Sequence, residues 1–301
     1  MTTRRSFLHQ ATLLAGSLAV TAPAIAAKPK ANKLCFFTKH LQGLPFDDIA
    51  ALAVEMGVDG VESPIRPKGH IEPEQVEVEL PKYMEALKKQ NLEMTILTSG
   101  INEVSKEQHT EAVLRTAAKL GVKRFRMLYY KYDLKKPIWP QLQEVKPRLK
   151  DLIQLCQEIG IQPIFQNHSG KDYFGAPIWD IYSLMQEYTP AQFSFCYDIY
   201  HATVEGGSQW PLSAALTADH CGAVYFKDFK WEGRKAEGCP LGQGQVDPAF
   251  AKMLTQRGYA GPVSLHVEYL KGDVKDPAVM KEFREAHVRD LKVLKEWMDW
   301  A

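Results

Sequence analysis

The 301-residue chain predicts a single (β/α)8 barrel. Helical patterns repeatedly stop at a residue that tolerates left-handed backbone and restart as a short apolar run, the signature of a helix C-cap feeding a buried parallel strand. Eight such runs occur between Leu34 and Val267. No GxGxxG follows the first of them, which argues against a doubly wound open sheet.

The first strand is expected over Leu34 to Thr38. Phe46, Ile49, Ala53 and Met56 then recur at helical spacing, and Met56-Gly57-Val58 closes that helix into a second strand, Gly60 to Glu62. Gln90-Asn91-Leu92 ends the next helix and opens a third strand reaching Thr98, and Leu120-Gly121-Val122 leads to a fourth, Arg124 to Leu128. Leu149, Leu152, Ile153, Cys156 and Ile159 form one helical stripe, which Ile159-Gly160-Ile161 turns into a fifth strand, Gln162 to Phe165. A sixth strand spans Phe193 to Tyr197. Cys221-Gly222-Ala223 is read as the stop before a seventh, Ala223 to Lys227, and Arg257-Gly258-Tyr259 as the stop before an eighth, Val263 to Val267. A closing helix from Pro277 to Trp300 carries Phe283, His287, Leu291, Leu294 and Met298 on one face, a core stripe.

Residues 1–26 have a separate character. Thr3-Arg4-Arg5-Ser6-Phe7-Leu8 precedes the uncharged stretch Ala11 to Val20 and the small-x-small tripeptide Ala24-Ile25-Ala26, so they resemble a twin-arginine export leader. The apolar stretch is short for a bilayer span, and no stable membrane insertion is expected after cleavage. The resemblance implies passage through the twin-arginine machinery and work in the periplasm or outside, with 27–301 as the barrel. Without Arg4 and Arg5, 35 basic side chains face 36 acidic ones, a formal charge near −1 that gives no basic footprint for nucleic acid. Five scattered cysteines without CxxC spacing argue against a disulfide framework.

The chemistry is written at the strand ends, where a parallel barrel places its ligands. Four late apolar runs finish in ionisable or amide side chains: Gln166-Asn167-His168, Asp198 with His201, Lys227-Asp228, and His266-Val267-Glu268. An ionised Asp198 or Glu268 in such a place needs a partner or a metal ion. Lys227 either attracts an anionic oxygen or neutralises Asp198 or Glu268 as a buried partner. Glu62 either binds substrate hydroxyls or closes a salt bridge, and His168 either touches substrate or caps a loop. His266 and Glu268, two apart on one strand, share a face and can chelate or support one ion. Tyr129, Tyr130, Trp139, Trp179, Trp210 and Trp231 fall in or near loop segments where exposed rings stack on sugars, though core positions account for several. No base is spaced to activate Thr98, Ser99 or Cys196 as a nucleophile.

Together Gln166-Asn167-His168-Ser169-Gly170, Tyr197-Asp198-Ile199-Tyr200-His201, Phe226-Lys227-Asp228-Phe229 and His266-Val267-Glu268-Tyr269 resemble the xylose isomerase-like TIM-barrel superfamily over nearly the whole mature chain. Pro240-Leu241-Gly242-Gln243-Gly244 with Val246-Asp247 is similar to its sugar-enzyme branch. The resemblance implies one divalent ion (Mn, Mg, Zn or Co) held by a Glu after strand five, an Asp after strand six, a His on strand seven and a Glu on strand eight. Asp198 and Glu268 match that pattern, Gln166 replaces the first Glu, and Tyr225 replaces the His, so weak binding is expected through Gln166, Asp198, His266 and Glu268. Gln166 carries no proton, which disfavours a symmetrical two-base epimerisation. What the resemblance then implies is an isomerase or epimerase acting on a sugar or polyol. Glu268 would be the base, with His201 or Lys227 as acid or oxyanion partner and Glu62, His168 and Asp228 as substrate contacts. A carbon-oxygen lyase on keto-sugars and a non-catalytic sugar-binding barrel are the alternatives.

Overall fold

The computed structural model describes residues 32–300, and the expected leader lies outside them. Eight parallel strands close a barrel: β1 (Leu34–Phe37), β2 (Gly60–Ile65), β3 (Glu93–Ser99), β4 (Arg124–Arg126), β5 (Gln162–Gln166), β6 (Ser194–Asp198), β7 (Cys221–Phe226) and β10 (Val263–Leu265). β1 pairs with β2 on one side and with β10 on the other, Phe37 opposite Glu62 and Leu34 opposite Val263. Between β7 and β10 stands an antiparallel hairpin outside the barrel, β8 (Asp228–Glu232) with β9 (Lys235–Cys239).

The helices are α1 (Phe46–Glu55), α2 (Val76–Lys89), α3 (Thr110–Lys119), α4 (Ile138–Ile159), α5 (Trp179–Met185), α6 (Ile199–Gly206), α7 (Trp210–Thr217), α8 (Ala249–Gln256) and α9 (Pro277–Trp297). Among the described residues no helix is long and apolar enough to cross a membrane. The α9 stripe is buried throughout, from Phe283 to Met298. It packs on outward strand residues such as Phe36, whose ring meets His287 edge-on at 5.2 Å. Each fully buried aromatic or branched side chain contributes roughly 1.5–3 kcal/mol of hydrophobic stabilisation.

The predicted stops at Gly57, Asn91, Gly121, Gly160 and Gly258 all adopt positive φ. Gly222 does not: it lies inside β7, where an added Cβ would come within 2.6 Å of the Ser194 Cβ. Close approach of β6 and β7 requires glycine there, not a helix cap. All five cysteines are free.

Candidate active site

Strand alternation builds the site in layers. Cys35, Ile96, Ile164, Cys196, Ala223 and Tyr225 point into the barrel and form an apolar plug. One inward position further along, the strands carry Thr98, Gln166, Asp198 and Lys227 in place of apolar groups. Glu62, Arg126 and His266 complete this polar layer, and all seven side chains are buried.

Lys227 is its centre. The ammonium donates to Glu268 Oε2 at 3.1 Å and to His201 Nε2 at 2.9 Å, and lies 3.2 Å from Asp198 Oδ2. Burial opposes its charge, yet Asp198 and then Glu268 outweigh burial and hold the amine protonated above its ordinary range. Asp198 is fixed by its backbone, which exchanges two hydrogen bonds with the Asn167 amide at 2.8 and 3.0 Å. Its side chain also caps α6, accepting from the His201 N–H at 3.3 Å, so His201 is set one turn above it.

The histidines differ in state. An ammonium only donates, so His201 Nε2 is an acceptor and its Nδ1–H donates to Ser169 Oγ at 2.8 Å. Burial and then Lys227 push its pKa well down, which makes His201 a neutral acceptor. His168 donates Nδ1–H to the Ser169 carbonyl at 2.8 Å, leaving Nε2 with an open lone pair; burial and Lys227 lower its pKa to about 4. Glu268 accepts from Lys39 at 2.9 Å on one oxygen and from Lys227 on the other. Burial would raise its pKa, but Lys227, His266 and Lys39 keep it well below the usual carboxylate range.

Several expected roles are revised. Glu62 is fully buried and accepts from Thr98 at 2.6 Å, Ser264 at 2.8 Å and His266 at 2.8 Å. Burial works against its charge, but His266 brings its pKa down to about 2, so Glu62 supports the site from beneath and does not reach substrate. His266 is stacked between Phe37 and Tyr225 at 4.7 and 4.3 Å with Nε2 committed to Glu62, which takes that nitrogen out of a ligand set. Asp228 accepts the backbone N–H groups of Phe229, Gly242, Gly244 and Val246 at 2.8–3.0 Å. Those four donors make it the anchor of the 240–246 turn in place of a substrate contact, and a Cβ at Gly244 would collide with its carboxylate. Trp139, Trp179 and Trp231 are exposed and Trp210 is core, so no tryptophan stacks in the mouth.

Two adjoining cavities of about 250 and 120 Å³ open above the polar layer and share Lys39, His168, Lys227, His266 and Glu268. A larger depression of about 530 Å³ is lined by residues between Val104 and Ala112 and contains none of these groups. Lys39, Arg66, Arg126 and Tyr200 also line the mouth; Lys39 and Arg126 sit at strand ends, and Lys39 follows the apolar run Leu34-Cys35-Phe36-Phe37, a position signal that points to it. Tyr129, one of the candidate aromatics, joins them, and its hydroxyl donates to Gln166 Oε1 at 2.6 Å.

Residues 50–297 match the xylose isomerase-like TIM barrel family. The chain belongs to that family. Among solved structures it resembles a putative xylose isomerase from Rhodospirillum rubrum, with 14% identity, 87% of this chain and 99% of that one covered and a TM-score of 0.69. It also resembles the 3-keto-D-glucoside 4-epimerase YcjR from E. coli at 17% identity, covering 88% and 99%, TM-score 0.64. A third likeness is the probable 3-DHS dehydratase AsbF from Bacillus anthracis at 16% identity, covering 87% and 98%, TM-score 0.65. No curated protein sequence matches.

The side chains of this xylose isomerase-like barrel do not fit the divalent ion that the resemblance implies. Gln166 turns its amide nitrogen to Asp198 Oδ2 at 2.6 Å and its oxygen to Arg126 and Tyr129. A guanidinium only donates and a carboxylate in this setting only accepts, so that orientation is fixed by its neighbours and offers an ion no oxygen. Among the described residues no group of three His, Cys, Asp or Glu is arranged to hold a metal.

Proposed function

We propose that the chain is an enzyme of carbohydrate or polyol chemistry that removes a proton next to a carbonyl, with isomerisation as the leading reaction. The carrying observation is the Glu268 carboxylate 3.1 Å from the Lys227 ammonium at the floor of the shared cavity: an ionised base beside a fixed positive charge. Glu268 takes the α-proton, the C–H pair becomes a carbon–carbon double bond, and the carbonyl electrons move to oxygen. There the positive charge of Lys227, its N–H groups turned to Asp198, His201 and Glu268, stabilises the enediolate through space. His168, neutral with Nε2 open, carries the hydroxyl proton between adjacent oxygens, and Glu268 returns its proton to the neighbouring carbon. Both bases have lowered pKa values, which limits their intrinsic strength and makes the oxyanion partner more important.

Elimination is the second reading, and Gln166 favours it. With an amide in place of a second carboxylate, one base and one cationic acid suffice to expel a β-substituent from a ketone. Folds similar to a named 3-keto-glucoside epimerase and a probable dehydratase are compatible with either outcome. Export by the twin-arginine route would place this chemistry in the periplasm, on free sugars or glycosides. In D2O, a panel of aldoses, ketoses and 3-keto-glycosides should show deuterium at the carbon next to the carbonyl. Glu268→Gln should slow that exchange by about 10²–10⁴-fold. Isomers in the product support the first reading and dehydrated sugars the second. Binding of sugars with no exchange across the panel would leave a sugar-binding barrel.

A further inference from the structure

We propose that the Lys227 ammonium is itself the resident cation of this barrel, held where an oxygen-liganded divalent ion would otherwise sit. An ammonium has three N–H donors, and Nζ has three acceptors around it, Asp198, His201 and Glu268, at 2.9–3.2 Å. These contacts come from β6, the first turn of α6 and the segment after β10, so they converge from different elements. They leave no space for an ion that needs oxygens at about 2.0–2.6 Å from the same atoms.

Gln166 completes the arrangement independently. Its amide hydrogens face Asp198, and its oxygen is taken by the buried Arg126 guanidinium. An ionised side chain at that position would give the pocket three carboxylates, a set that a divalent ion balances as one ammonium balances two. Tyr225, two residues before Lys227 on the same inward face, fills the layer below with its ring against His266. Two carboxylates also keep the amine charged, which suits it to an electrostatic role and not to attack on a carbonyl carbon. The electrophile that polarises the substrate in the preceding mechanism is therefore a covalently attached, exchange-proof charge.

Occupancy of the site by Lys227 does not depend on the reaction; only its catalytic use rests on the proposed carbonyl chemistry. The test is calorimetric and electron paramagnetic titration of the EDTA-treated full-length protein with Mn²⁺, beside Lys227→Met and the pair Gln166→Glu with Lys227→Met. The native chain should show no saturable site at millimolar Mn²⁺ and an unchanged melting temperature with Mn²⁺ or EDTA. The double variant should gain one site per chain. One Mn²⁺ bound by the native chain and lost in Asp198→Asn overturns the proposal, as does failure of both folded variants to gain any site. Should the variants fail to fold by circular dichroism, the native titration and melting comparison still decide it. Absence of deuterium exchange in a native chain that binds no Mn²⁺ removes the enzyme reading and leaves the cation assignment standing.

Discussion

Asp198 and Asp228 sit at the mouth ends of neighbouring strands, and their surroundings give them opposite tasks. Asp198 shares Lys227 with Glu268 below the cavity, whereas Asp228 spends both oxygens on backbone N–H groups. Charge-assisted bonds of that kind weaken sharply when an amide NH2 is turned toward N–H donors. Asp228→Asn should therefore lower stability by about 2–4 kcal/mol in urea unfolding. A structural role also requires that the activity of the folded fraction survive. Asp198→Asn should do the reverse, impairing the site more than the fold. Sequence singled out both aspartates because of their position, but it could not separate them, since the donors that decide the matter lie up to 18 residues away in a turn.

At the scale of elements, the barrel strands were legible because most are short and apolar and five of the eight follow a helix stop with positive φ. The hairpin β8–β9 was not. Its residues are largely solvated, with Lys230, Trp231, Glu232 and Lys235 exposed, so it carries no apolar run. The available signal was Glu232-Gly233-Arg234-Lys235, a two-residue loop with glycine first and φ of +61°. Gly233→Val should raise amide hydrogen exchange across 229–238 without changing the barrel strands, at a cost of about 1–2 kcal/mol in the hairpin. Because Gly238 and Tyr200 line the larger cavity, and the Tyr200 hydroxyl reaches the Ala236 carbonyl, loosening this ribbon should raise KM before it lowers kcat.

The molecule as a whole keeps several histidines uncharged. Burial lowers His70 and His168 to about 4 and His287 to about 3. Each is neutral in the fold and protonates near 6.5 once unfolded, so the unfolded chain binds more protons between those values. The contribution of these three histidines is thus intact above pH about 6.5 and is lost as pH drops toward 4. Glu62, depressed to about 2, adds a further loss below pH about 4.5 as the unfolded carboxylate takes up its proton first. His287→Phe, which removes one such group from the α9 core face, should reduce the loss between pH 6.5 and 5 by about 2 kcal/mol. Urea unfolding of both proteins at the two pH values measures it, and equal losses would show that His287 does not contribute.

By itself the sequence determined the barrel, its strand order along the chain and the rim on which its polar groups meet. Periodicity and helix stops are local, and the inward–outward alternation of a strand follows from covalent geometry. Only the tertiary structure decided what those groups do there. Which carboxylate lies below the cavity, which anchors a turn, and which way the Gln166 amide faces depend on donors brought from separate strands, loops and turns. Lys227 shows the difference most directly: sequence offered it as either a buried partner or an oxyanion contact. Folding places its ammonium between Asp198 and Glu268 at the cavity floor, where one charge is positioned for both.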